Sequence, residues 1–504
     1  MGNIVGIDLG TTYSAIGVLD ETGRPSIMSI ESENSNIMPS IVLFEGQDKV
    51  VTGVEAQSMF GFGNTNVFGR FKREMGNDVS YQVNGQTITP TSLSSFILKR
   101  LKDEAEAKIG PIDEAVVTIP ANFSNEAREA TLEAARLAGL NVKNIINEPT
   151  AAAMYYAFHQ GEELAGTYAV YDLGGGTFDV SIIRVKGQDT EVLASEGVNR
   201  LGGDDFDKKL MELVRSKVLE TTGESPDEEN FTSIVAEEMK KSLSRKEQTR
   251  RRVWNSVGKA VNIEISRDEF QKSISSLVAQ TEMLCESVLE QAGLSSTDLA
   301  GVFLVGGSTR VPIIKESAKR VFGMDPTSIV NPDEAVALGA ALYAGYRADI
   351  ANLNPVQKQS VDQIKLQEIS NHYFGCISIA YDPERDQERL NNTIILEKGQ
   401  KLPCSQTHPF YTIGDGQTSV HCQVTQSATP ETDPRFVKII WEGNLDLPEG
   451  RPAGQEVQVT FSYDLNQVMK CSFKDAATGH QQNVELSTAK NSTSGVDINA
   501  FLVE

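Results

Sequence analysis

Residues 169–185 read AVYDLGGGTFDVSIIRV. An apolar, β-branched run ends on Asp172, three glycines and Thr177 follow, and a second strand-like run opens at Phe178. Glycine turns after strands cradle phosphates, because without a Cβ the backbone N–H groups can approach an anion closely. The common versions lead into a helix and carry Gly-Lys-Ser/Thr. This one returns into a strand and lacks that lysine, so it is not a Walker loop. A single such stretch reads equally as a plain tight hairpin. Residues 4–19, IVGIDLGTTYSAIGVL, repeat the pattern: strand, Asp-Leu-Gly, small or hydroxyl residues, strand. The two copies, with Asp8 and Asp172 in register, predict two similar halves facing each other across a cleft.

Each turn offers the same chemistry. Thr11, Thr12 and Thr177 supply hydroxyls beside glycine amides, and Asp8 and Asp172 stand at strand ends. A carboxylate next to a phosphate repels it unless a cation lies between them. Mg²⁺ suits that place, since it keeps several waters and binds through few protein ligands plus substrate phosphates. The pair of hairpins therefore reads as a clamp for a Mg²⁺–nucleotide. A third glycine turn, LVGGSTRVP at 304–312, again follows an apolar strand, and its Gly306 and Gly307 can accept a sugar or phosphate edge. The following NPDEAVALGAAL (331–342) opens a helix of small residues suited to close packing.

The rest of the chain sets bounds. Its 504 residues allow two to four domains. A net charge of −23 argues against broad nucleic-acid or anionic-membrane binding, which needs clustered Lys and Arg. The five cysteines form no C-x-x-C pair and make a poor disulfide framework. No basic segment leads into a long apolar one at the start, and the most apolar helix-like run, 335–346, is too short to span a bilayer. The expectation is a soluble, cytoplasmic protein with neither nucleic-acid nor membrane partners. Strands such as EAVVTIP (114–120) alternate with helices such as SLSSFILKRLKDEAEAKIG (92–110), which implies an α/β sheet. EEMKKSLSRKEQTRRR (237–252) reads as a basic, solvated helix face. Near Asp349 the pattern changes. SVHCQV (419–424) and VQVTFSY (457–463) alternate with period two between turn signals, as in an antiparallel β domain with one buried face. After Leu486 the Ser/Thr/Asn-rich stretch reads as a mobile tail.

GIDLGTTYSAIGV, INEPTAAAMYY, DLGGGTFDVSII, LGGDDFD, LVGGSTRVPII and NPDEAVALGAAL stand in the order found in the heat-shock protein 70 (DnaK-type) chaperone family. The resemblance covers Ile4 to Ala344 and, more loosely, Ile369 to Leu486. It implies a multidomain α/β + β protein: an actin-like, two-lobed ATPase domain at 1–348, a linker at 349–368, a β-sandwich at 369–486 that binds extended apolar peptides, and a tail at 487–504 in place of a helical lid. The implied activity is slow ATP hydrolysis that controls binding of exposed apolar polypeptide. The cofactors are ATP/ADP and Mg²⁺, with K⁺ admitted. The partners are unfolded or extended polypeptides, a J-domain co-chaperone and a nucleotide-exchange factor.

Carried over residue by residue, the resemblance assigns catalysis to Lys72, Glu148, Asp172 and Thr177, and metal to Asp8, Asp172 and Asp179. Nucleotide contacts fall to Gly10, Thr11, Thr12, Tyr13, Gly174, Gly175, Gly176, Gly202 and Gly203. Adenosine contacts fall to Glu237, Lys240, Lys241, Ser244, Gly306, Gly307, Ser308, Arg310 and Asp333. Pro120 and Arg128 match the family's coupling positions, and Phe410, Ile413 and Val420 match its peptide-pocket walls. From the residues alone, Lys72 is equally a solvated helix charge, Glu148 a favourable acid at a helix start, and the pocket triad ordinary half-buried core. Three departures stand out. Lys241 replaces an Arg that stacks better on a base. The linker's apolar run is broken in DQIKLQE (362–368), where Lys365 separates Ile364 from Leu366, so weak docking is expected. No long amphipathic helix follows Leu486. A nucleotide-sensing partner-binding module or accessory co-chaperone is the alternative. A kinase of the same superfold is disfavoured by the β domain and by INEPTAAA.

Overall fold

Two strands with an aspartate at or next to their last residue each organise a sheet. Asn3–Asp8 pairs antiparallel with Tyr13–Leu19 and parallel with Ile112–Ile119. Ala165–Leu173 pairs antiparallel with Phe178–Lys186 and parallel with Gly301–Val305. The wiring is the same in both, which is the structural form of the sequence repeat. Val142–Asn147 and Pro25–Ile27 extend the first sheet on either side. Asp189–Val198 extends the second. The computed structural model describes residues 3–60, 64–160, 165–187, 189–227, 231–327, 331–348, 352–362, 364–382, 386–465, 467–486 and 497–504.

Between the sheets lie two small-residue helices, Glu148–Gln160 and Ala335–Arg347. They cross so closely that a Cβ on Gly339 would fall 1.7 Å from the Ala151 carbonyl oxygen. That contact explains the alanine-rich composition: bulk on either helix would force the lobes apart. Tyr156 stacks on Phe303 with centroids 4.2 Å apart, and Phe303 stacks on Tyr168 at 4.9 Å, so the central layer ties helix to second sheet. The outer faces are covered by Pro90–Ile109 and Asn125–Leu137 on the first lobe, and by Gly203–Thr222, Ser275–Gln291 and Pro312–Phe322 on the second. With both faces covered, the central strands are almost uninterruptedly apolar.

Two expectations need correction within this unit. The basic stretch 237–252 is not one helix. The helix Ser233–Leu243 stops, and Gln248–Trp254 is a strand of a hairpin with Ala260–Ser266, its arginines alternating with the buried Val253 only at the end. The expected linker is also mostly structured. Residues 349–351 lie outside the described residues, but Pro355–Val361 is a helix whose first amides are capped by the Asn354 side chain. Val361 and Ile364 are buried in the central core and Leu366 packs against it. Lys365 points outward to Asp189, 3.6 Å away, so the charge that interrupts the apolar run does not prevent docking. The chain divides into two units, 1–366 with 493–504, and 367–492.

The second correction in extent concerns the expected tail. Residues 487–496 lie outside the described residues. Residues 497–504 are not a mobile end: Leu502–Val503 adds a parallel strand to Lys49–Thr52 in the first unit. Ile498, Phe501 and Val503 are buried there, with Phe501 edge-on to Phe44 and Phe96.

The second unit is two four-stranded antiparallel sheets, a β-sandwich. One runs Gln387–Leu396, Tyr373–Asp382, Ser419–Ser427, Lys438–Asp446. The other runs Cys404–Tyr411, Glu456–Tyr463, Met469–Asp475, Gln481–Glu485. The period-two pattern is obeyed: Val457, Val459, Phe461 and Tyr463 all face the core. Arg451 clamps Asp475 at 2.6 and 3.1 Å, pinning the loop before the second sheet's central strand.

Because Phe501 fills an aromatic cluster from far along the chain, Phe501→Ala is expected to destabilise the first unit by about 3–5 kcal/mol. Leu502→Ala, on the outward face, should change stability by no more than about 0.5 kcal/mol. Urea denaturation of the two variants beside the parent chain checks both.

Candidate functional site

The turn after Asp8 and the turn after Asp172 meet tip to tip. A Cβ on Gly175 would lie 1.7 Å from Thr12 Oγ1, and one on Gly176 2.4 Å from Thr11 Cγ2. Only glycine allows that approach, so the glycines here serve lobe contact as well as anion access. The first turn is braced from behind: Gly10 N donates to Ser14 Oγ at 3.1 Å, and Ser40 Oγ donates to the Gly10 carbonyl at 2.8 Å. The second is braced by the LGGDDFD stretch, where Gly203 N donates to Gly174 O and Asp204 N to Gly175 O. Ser308 Oγ donates to the same Gly174 carbonyl at 2.7 Å, joining the third glycine turn to the second.

Beneath the tips lies a cavity of about 810 Å³. Its lining includes Asp8, Gly10, Thr11, Thr12, Tyr13, Lys72, Glu148, Asp172, Gly174, Gly175 and Thr177. On the far side it includes Glu237, Lys240, Lys241, Ser244, Gly306, Gly307, Ser308, Arg310 and Asp333. Residues separated by hundreds of positions are thus brought to one place. Gly176, Gly202, Gly203 and Asp179 stand just behind this wall. Asp179 is opposite Asp172 across the hairpin and accepts a hydrogen bond from Asn122 N at 3.3 Å.

The floor carries a surplus of negative charge. Burial, then the charge of Glu148, push Asp8 up to about 7, with Lys72 and the Thr118 hydroxyl (2.9 Å) pulling the other way. Burial and Glu148 likewise raise Asp179 to about 8. Asp172 is pushed well above the carboxylate range by burial and by Glu148, Asp179 and Asp8. The balancing cation is Lys72, buried, with Nζ 2.5 Å from Glu148 Oε1 and 5.7 Å from the centre of the Phe123 ring. Carboxylates whose charged form is disfavoured by burial and by one another's charge are suited to a divalent cation, which would favour that form. Among the described residues no three acidic, His or Cys side chains converge on one point. Thr12 lines the cavity, and its Oγ1, packed against Gly175, is buried without a hydrogen-bond partner.

On the adenosine side, Lys240 is fully engaged: Nζ donates to Gly203 O and to Asp207 Oδ2, both at 2.8 Å. It ties two helices rather than reaching freely into the cavity. Lys241 is half-exposed, 2.7 Å from Glu237 and 5.3 Å above the centre of the Tyr13 ring. Arg310 pairs with Asp333 at 2.8 Å. Away from the cavity, Pro120 ends the strand that carries Thr118, and Arg128 is buried beside Glu129 at 2.9 Å. In the sandwich, Phe410 and Val420 pack against the core while Ile413 is exposed.

Sequence reasoning missed the cross-cleft clasp. Arg73 Nη2 lies 2.5 Å from Asp205 Oδ2 and 3.4 Å from the Gly175 carbonyl, and Arg70 Nε lies 2.7 Å from Asp204 Oδ1. These pairs join the segment holding Lys72, in the first lobe, to the helix that braces the second glycine turn. Against the cost of burial, Arg73 and Lys208 hold the Asp205 carboxyl below its usual range. The signal was present as two basic residues flanking Phe71–Lys72 and two acids directly after Gly203. Acids at a helix start are also the ordinary complement to its dipole, which masked the pairing.

A family model described as Hsp70 protein matches residues 4–84 and 77–503. The chain belongs to the Hsp70 family.

The clasp makes a testable statement about nucleotide release. Arg73→Met leaves Asp205 without its closest partner and should speed dissociation of a fluorescent adenine nucleotide about tenfold or more. Arg200→Ala removes the exposed pair with Glu74 and should leave the rate nearly unchanged. Stopped-flow displacement measures both.

Proposed function

We propose that this Hsp70-family chain is an ATP-dependent chaperone that hydrolyses ATP slowly and uses the nucleotide state to set its grip on exposed apolar polypeptide. A restricted set of clients, a J-domain co-chaperone and a nucleotide-exchange factor are its partners in this reading. The observation that carries it is the meeting of two glycine hairpins over buried carboxylates and a buried lysine.

In that site, Asp8 and Asp172 would hold Mg²⁺ through its waters, with Asp179 behind them. When bound, the ion neutralises phosphate charge. The remaining work belongs to the chain. Gly10 to Thr12 and Gly174 to Thr177 offer amides and hydroxyls to the phosphates. Thr177 Oγ1 and Lys72 Nζ orient the attacking water, and Glu148 holds the Lys72 ammonium in place, 2.5 Å away. Positioning and charge neutralisation supply most of the catalysis in phosphoryl transfer. Tyr13, Glu237, Lys241, Ser244 and Arg310 are proposed to bound the adenosine, with Lys240 supporting them from behind. Thr118 touches Asp8 and stands two residues before Pro120, so a change at the metal site has a covalent path to Pro120 and onward to the helix bearing Arg128.

The sandwich offers apolar surface for peptide at Ile379 and Leu390, which are cross-strand partners and both exposed, as is Ile413. One observation favours the second reading, a nucleotide-sensing partner-binding module. Phe410 and Val420 are half-buried against the sandwich core, which leaves less of each for a pocket wall.

Lys72→Ala and Thr177→Ala should each lower single-turnover ATP hydrolysis about 10²-fold; rates equal to the parent's would remove the catalytic assignment. Affinity for an extended apolar peptide should differ between ATP and ADP in the chaperone reading. Equal affinities transfer support to the partner-binding module.

A further inference from the structure

Without residues 497–504, the strand Lys49–Thr52 would be the bare edge of its sheet, and a bare edge is a template for another strand. The sheet runs Leu502–Val503, Lys49–Thr52, Ile41–Glu45, Val67–Gly69. The added segment makes a regular ladder. Leu502 N donates to Asp48 O and Glu504 N to Val50 O, both at 2.8 Å, and Thr52 N donates to the Glu504 main-chain oxygen at 2.6 Å. Its side chains alternate as a strand's must: Phe501 and Val503 point into the lobe and Leu502, 61% exposed, points out. Ile498 is buried one turn earlier. The Phe501 ring meets Phe44 at 5.9 Å and Phe96 at 5.4 Å, edge-on to each. Lys49 bridges to Glu504 at 2.9 Å. A main-chain ladder, pockets for alternate side chains and a closing charge pair are the components of strand addition as a mode of peptide recognition.

We propose that the Lys49–Thr52 edge is a strand-acceptor site, specific for an Ile-x-x-Phe-x-Val pattern, and that its occupant is the chain's own segment 498–504 docked in cis. The site is distinct from the nucleotide cavity and does not rest on ATP hydrolysis. Chain order gives it two consequences. The sandwich unit, 367–492, lies between two stretches that both belong to the first unit, so docking closes it into a loop held at both ends. Closure through the intervening chain keeps the segment at a high effective concentration, so an added peptide competes only weakly. The last strand of the same sheet, Val67–Gly69, runs directly into Arg70, Lys72 and Arg73, so occupancy of one edge supports the cations of the cleft at the other.

The test is to place a protease site between residues 487 and 496 of the full chain, cut the folded protein, and follow fragment 497–504 through gel filtration by mass spectrometry. The fragment should co-elute with the cut protein. An excess of synthetic peptide of sequence 497–504 should displace it, and the same peptide carrying Phe501→Asp should not, at a concentration at least tenfold higher. Loss of the fragment on cutting overturns the proposal. A second measurement uses uncut chain: Leu502→Cys with Lys49→Cys, residues that are register partners, exposed to diamide. A disulfide within one chain supports docking in cis. Disulfide-linked dimers assign the site to a second copy and overturn the cis occupant. No crosslink above that of Leu502→Cys alone overturns the docking itself.

Discussion

Lys72 and Glu148, 2.5 Å apart on the cavity floor, sit among the carboxylates of Asp8, Asp172 and Asp179. That local excess of negative charge is the constraint around which the nucleotide-binding unit is arranged. Asp8 ends its strand, Asp172 and Asp179 face each other next to the turn of a hairpin, and Glu148 starts a helix, so the sheets and the central helix bring them to one region. A ligand that brought Mg²⁺ and phosphates would offset that charge. The hydroxyls of Thr118 and the amide of Asn122 temper the excess but do not cancel it.

Closure has its own requirement. The two turns approach until no side chain fits between Gly175, Gly176 and the threonines opposite, and the helices behind them cross over Gly339 with equal closeness. Arg70 and Arg73 then span the cleft to Asp204 and Asp205. The clasp and the floor are linked through one short segment, since Lys72 lies between the two arginines. Cavity lining, lobe contact and lobe clasp are therefore properties of a few adjacent residues.

Much of this was readable before the fold was known. The paired Asp-Leu-Gly turns, the third glycine turn and the helix-start acid Glu148 all reach one cavity. The period-two runs of the sandwich are strands with the expected faces inward. What escaped was non-periodic or held from a distance. The segment around Pro355–Val361 is too short and polar to announce a helix, and its burial comes from three apolar residues set against a core assembled elsewhere. Ile498, Phe501 and Val503 carry no helical period and too short an alternation to stand out in a Ser/Thr/Asn-rich stretch. Their partners, Phe44, Val50 and Phe96, lie at the opposite end of the sequence. Arg73 and Asp205 each read as ordinary surface charges until the lobes face each other.

By itself the sequence determined the repeat, the two hairpins with their carboxylates, the family and the change from α/β to antiparallel β. Those properties are local: glycine conformation, strand alternation and side-chain chemistry act over a few residues. Only the tertiary structure decided that Lys72 faces Glu148, that Arg73 clasps Asp205, that Lys240 is tied to Asp207, and that residues 497–504 complete a sheet begun at residue 41. Such choices depend on which charges and edges are left without water once the chain has packed, and no local pattern encodes that.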